Sequence, residues 1–173
     1  MLPLRRVAAG LLIAFFTLSL FGFDILVDPV GWLLVVLGLS SMKAGNDTVF
    51  GPAHASAVVA MVLSLAMFVG LGRFLFIGLL HSIAVILTIW FIADGIVKRA
   101  RAQNDPPTAS TFDTLRWVVT VALSAELLSG YVIPGTPWVA LAALVAAIWF
   151  VVQLYRYADQ PYLTPGPRGP VAA

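Results

Sequence analysis

Residues 74–93 read FLFIGLLHSIAVILTIWFIA, 20 consecutive positions without a charged side chain. A helix rises 1.5 Å per residue, so this stretch reaches about 30 Å, the thickness of the hydrocarbon core of a bilayer. A soluble helix of that length carries a polar face. Here His81, Ser82 and Thr88 are scattered singly through an apolar run. The stretch predicts a membrane span, and the rest of the chain repeats the pattern. Residues 7–23, 55–72 and 138–155 have the same character, as do 28–42 apart from Asp28 and 112–133 apart from Asp113, Arg116 and Glu126, and with the first stretch extended to 74–97 they make six candidate spans.

Composition agrees. The hydrophobic set makes up 61% of the 173 residues and charged residues 10%, against about 45–50% and about 25% in an ordinary soluble domain. So few charges cannot clothe a water-soluble globule. The absence of cysteine excludes disulfides, thiolate nucleophiles, Cys-ligated zinc, iron-sulfur clusters and covalently attached haem. A net charge of +2 follows from membrane topology, so no nucleic-acid partner is expected, and no cofactor or metal.

The basic residues give the direction of the spans, because cytoplasmic loops collect Lys and Arg. Arg5, Arg6, Lys43, Lys98, Arg99, Arg101, Arg116, Arg156 and Arg168 fall on one side of a six-span layout, and Arg73 alone on the other. The expected fold is therefore an all-α integral membrane protein, a six-transmembrane-helix bundle over residues 1–157 with both termini cytoplasmic. Residues 158–173 hold four prolines and are expected to form a disordered cytoplasmic tail.

The densest local pattern is Asp24-x-x-x-Asp28-Pro29-x-Gly31-Trp32. Asp28 suits a helix N-cap, Pro29 a first helical position, and Trp32 an interfacial anchor. Gly31 and Gly38 share a face and would let their helix pack closely on a neighbour. Asp24 and Asp28 form a candidate outer rim, with Arg73 as its basic partner. The segment Phe23-Asp24-Ile25-Leu26-Val27-Asp28-Pro29-Val30-Gly31-Trp32-Leu33-Leu34 also resembles a hairpin of small multi-pass bacterial membrane proteins of no assigned function. That resemblance implies a bacterial plasma-membrane protein and brings no activity with it.

Ionisable groups inside a span are costly, and they face a bundle interior or mark a functional pathway. His81 lies seven residues into its span and Glu126 seven residues before the same end of the next, which places both about 10 Å below the outer surface. A Glu accepting from an imidazole at equal depth suits either a structural bond or a proton or cation relay. Asp94 precedes Lys98 by four residues, the favourable order for a helical ion pair. His54 falls on the other side of the membrane from His81, so the two histidines share no metal. Lys98, Arg99 and Arg101 form a cytoplasmic basic cluster that could touch anionic head groups.

The motifs of metalloproteases, serine hydrolases, P-loop enzymes and dinucleotide-binding proteins are missing from the sequence, so no catalytic residue is assigned and an enzyme is not expected. The expected function is that of an accessory subunit that packs against lipid, a membrane-protein partner or further copies of itself. The alternative is a small proton- or cation-coupled transporter using His81 and Glu126.

Overall fold

The computed structural model describes residues 2–16, 27–43, 48–71, 74–132 and 137–163. These form six α-helices: α1 (Pro3–Phe16), α2 (Val27–Met42), α3 (Gly51–Phe68), α4 (Leu75–Ala102), α5 (Pro106–Val132) and α6 (Pro137–Tyr157). A single 3₁₀ turn, Pro161–Leu163, follows, and no strand occurs among the described residues. Three of the helices, α3, α4 and α6, are long and apolar enough to cross a membrane, which agrees with membrane association.

Several helices run past the limits of the candidate spans. Helix α1 begins at Pro3 rather than 7, α3 at Gly51 rather than 55, and α5 at Pro106 rather than 112, while α4 continues to Ala102 rather than 97. Leaving the apolar zone does not end a helix; lost hydrogen-bonding partners do. The start of α5 shows the local logic. Asp105 accepts the Thr108 N–H (3.2 Å) and the Thr108 hydroxyl (2.6 Å), the reach of an N-cap to the third helical residue. Pro106 and Pro107 occupy first-turn positions, whose N–H groups would have no intrahelical partner anyway. Just before, Asn104 takes φ 55°, a left-handed conformation that Asn tolerates and that ends α4.

The helices form a ring in chain order: each packs on its neighbours in sequence, and α1 closes the circle against α6. Neighbours run in opposite directions. One end therefore collects the starts of α1, α3 and α5 with the ends of α2, α4 and α6. Arg5 at the start of α1 meets Asp159 just past α6 at 2.6 Å, and Arg99 near the end of α4 reaches the Met42 carbonyl at the end of α2 at 3.4 Å.

Glycine sets the closest helix pair. Gly38 stands so near α1 that a Cβ there would lie 2.9 Å from the Pro3 carbonyl, and Gly31 is as tight against Ala14. The shared face of Gly31 and Gly38 thus meets α1, with Gly10 opposite as the contributor from α1. In the same way Gly95 on α4 leaves room for the Phe50 ring, which would be 2.6 Å from an added Cβ. Phe50 is fully buried, and the Arg99 guanidinium lies over it at 4.7 Å.

The polar end is sealed. Leu4, Met42, Phe50, Phe112, Leu154 and Leu163 are buried there, and the chain after α6 does not leave the bundle at 158. Ala158 and Leu163 are buried, the Tyr162 hydroxyl donates to Asp105 (2.7 Å), and Arg99 donates to the Tyr162 carbonyl (3.0 Å). The expectation of a disordered tail from 158 is corrected over 158–163: one tyrosine and one leucine suffice to dock a short segment when a capping carboxylate and an arginine are waiting for them. The remaining tail, 164–173, lies outside the described residues.

Candidate functional site

At the opposite end the described residues do not fill the centre of the ring. A cavity of about 810 Å³ opens between the helices, and each of the six contributes to its wall, with Phe15, Asp28, Met67, His81, Glu126 and Ala143 as one lining residue apiece. Small residues make the space. Ala14, Gly78, Gly130, Ala140, Ala143 and Ala147 stand where the polar end carries phenylalanine and leucine. A packed core leaves few voids larger than a water molecule, so a space of this size in the middle of a helix ring is a feature of the molecule in its own right.

The wall is mainly apolar, and its hydroxyls are turned back into their own helices. Ser82 donates to the Gly78 carbonyl (3.1 Å), and close by Ser129 donates to that of Glu126 (2.9 Å). Three ionisable side chains remain: Asp28 on α2, His81 on α4 and Glu126 on α5. Counting along the helices, His81 lies about 9 Å from the start of α4 and Glu126 about 9 Å from the end of α5. The equal depth expected for the pair thus brings them to one cavity. It does not make them partners: the His81 Nε2 is buried with no hydrogen-bond partner, and the Glu126 carboxyl pairs with no described residue. Among the described residues, no three His, Asp or Glu side chains approach closely enough to hold a metal ion.

Sequence reasoning missed the part played by Trp32. An interfacial anchor would be exposed, whereas Trp32 is 1% exposed and stands edge-on to His81, ring centres 6.1 Å apart at 87°. The signal was present in the spacing. Trp32, Val35, Leu39 and Met42 recur at helical intervals of three and four and are all buried, so they form the inward seam of α2. Asp28, one turn before Trp32, turns to the cavity wall. Asp24 and Arg73, its expected companions on an outer rim, lie outside the described residues.

The basic cluster is engaged by the chain itself. Lys98 pairs with Asp94 at 2.7 Å, as the four-residue spacing predicts. Arg101 lies 3.8 Å from Asp113, and Arg99 donates to two backbone carbonyls. Arg116, only 19% exposed, holds Asp94 (3.1 Å) and Asp113 (2.6 Å) and stacks over Trp90 at 4.8 Å. Charges on α4 and α5 thereby compensate one another within an apolar surface.

No protein-family model, no curated protein and no solved structure matches the chain.

Proposed function

We propose that the chain is an integral protein of a bacterial plasma membrane, with six spanning helices and both termini cytoplasmic, and that it works as a small proton- or cation-coupled carrier through the cavity at His81 and Glu126. Three observations support the topology. Among the described residues Arg5, Arg6, Lys43, Lys98, Arg99, Arg101 and Arg156 lie at or near the helix ends that form the sealed end. The helices alternate in direction around a closed ring. Helix α5, 27 residues long, contains charges at Asp113 and Arg116 that neutralise each other and Asp94, which removes most of the penalty for placing them near hydrocarbon.

The observation that carries the functional reading is the cavity itself, with a carboxyl and an imidazole on two adjacent helices of its wall and no bond between them. A subunit that acts only by packing gains from a filled centre, since each void forfeits dispersion contacts. A carrier needs the opposite: a space open at one end, closed at the other, with ionisable groups left for the cargo. In this reading Glu126 takes up a proton or cation at the outward end, His81 tunes it from the neighbouring helix, and Asp28 stands at the entrance.

The test is flux. Purified protein reconstituted in liposomes under an imposed pH gradient should move protons or a coupled cation. Glu126→Gln should abolish that flux while leaving expression and thermal midpoint unchanged. No flux in the parent, together with a stable complex with a different polypeptide in native mass spectrometry, would overturn the carrier and return the chain to an accessory role.

A further inference from the structure

The cavity constrains its occupant by size, sign and polarity. At about 810 Å³ it falls within the roughly 300–1,000 Å³ of sites that enclose a drug-sized molecule, far more than a bare ion needs. Among the described residues its wall carries two carboxyl groups, Asp28 and Glu126, and no lysine or arginine; His81 is the one further ionisable group. Helices α1, α3 and α6 add no titratable side chain to it from the described residues. An anion would meet the Glu126 carboxyl and, among the described lining residues, no lysine or arginine.

A divalent metal ion fits no better. Calcium takes about six to eight oxygen ligands, and magnesium keeps several of its waters, whereas this wall is mainly apolar and the described residues hold no cluster suited to a metal. A positively charged nitrogen or phosphorus inside an apolar shell is different. Its body is already weakly hydrated, gains from burial against Phe15, Met67 and Leu127, and needs only a counter-charge and polarisable walls. Glu126 supplies the charge, and the aromatic rings of Trp32 and Phe15 attract cations through their quadrupoles.

We infer that the cavity binds a lipophilic organic cation, with its charged centre near Glu126 and its apolar groups against α1, α3 and α6. This deepens the carrier reading by naming the class of cargo, and it rests on that reading only for the claim that the cargo moves.

Tetraphenylphosphonium and tetraphenylborate have the same shape and opposite charge, so the pair isolates sign from size. Equilibrium dialysis of each against the full-length protein in detergent should give saturable binding of the phosphonium and none of the borate. Glu126→Gln should weaken phosphonium binding by about ten-fold or more, equivalent to the loss of one good electrostatic contact. If that variant fails to fold, Gly130→Leu serves instead, because a Cβ at Gly130 meets nothing within 4 Å and the added side chain occupies the cavity without altering its charge; it too should abolish binding. Equal binding of both ions, or phosphonium binding that survives both substitutions, would overturn the inference. Saturable phosphonium binding without any flux would leave the inference standing and sink the carrier. Proton flux without phosphonium binding would do the reverse.

Discussion

Gly10 and Gly31 face each other so closely that a Cβ on Gly10 would stand 2.5 Å from the Gly31 carbonyl oxygen, and one on Gly31 would stand 2.8 Å from that of Gly10. The obstacle on both sides is backbone, which cannot swing aside as a side chain would. Helices α1 and α2 therefore hold their separation only while both positions lack a side chain. Gly10→Val and Gly31→Ala should each destabilise the bundle by about 1–3 kcal/mol, the usual cost of overpacking, seen as a lower thermal midpoint in detergent. Gly130→Ala, in open space, should leave the midpoint unchanged or raise it slightly.

Arg99 ties the sealed end together. It donates to carbonyls from two other segments, Met42 and Tyr162, and lies over the Phe50 ring. Hydrogen bonds to a charged group are worth about 1.5–3 kcal/mol each, so Arg99→Ala should lower stability by about 2–4 kcal/mol. Arg99→Lys should recover only part, because an ammonium cannot both fork to two acceptors and lie flat on a ring. Chemical denaturation of the three proteins checks the order.

Docking of the segment 158–163 should depend on pH at both extremes. Hydrogen bonds from the Thr108 hydroxyl, the Tyr162 hydroxyl and the Thr108 N–H hold the Asp105 carboxyl below its ordinary range. A lowered pKa adds stability that is present above the unfolded value and lost as pH falls through the folded one, so acid should release the segment. Burial, with the adjacent Asp105 carboxylate, pushes Tyr162 up to about 12. That contribution is complete below about 10 and is lost as pH rises from there toward the folded value. Amide protection at 158–163, measured against the intrinsic exchange rate at each pH, should be greatest between these limits, and Tyr162→Phe should lower it at neutral pH. Unchanged exchange in that variant would show that Leu163 alone anchors the segment.

Asp94 accepts from Lys98 and Arg116 at once while 24% exposed. Asp94→Asn would leave Arg116, stacked on Trp90, with only the Asp113 carboxylate beside it. Breaking one partner of a part-buried pair should cost about 1–3 kcal/mol. Lys98→Met should be nearly neutral, since Lys98 is mostly exposed. A double-mutant thermal series separates the two bonds.

Of the candidate site, the depth of His81 and Glu126 was legible in the sequence because depth is a count along a helix of known rise. Their membership of one cavity followed. Their failure to bond did not, since that depends on the rotation of α4 against α5 and on the room left by alanines and glycines of other helices. Trp32 was misread for a related reason: its place near a helix start suggested an anchor, and only the seam with Val35, Leu39 and Met42 turns it inward. The cap at Asp105 is legible in Asp105-Pro106-Pro107-Thr108, whereas apolar content marks only the middle of α5.

The sequence by itself determined the helices, the ion pair of Asp94 with Lys98, and the small-residue face of Gly31 and Gly38, because each depends on neighbours a few positions away. Tertiary structure alone decided which face of each helix turns inward, that the ring closes through α1 and α6, that Leu163 returns to the sealed end, and that the described residues leave a cavity at the other end. The physical reason is the solvent. Where lipid and core are equally apolar, a helix shows no polar side to mark the outside, and orientation is settled by which shapes fit.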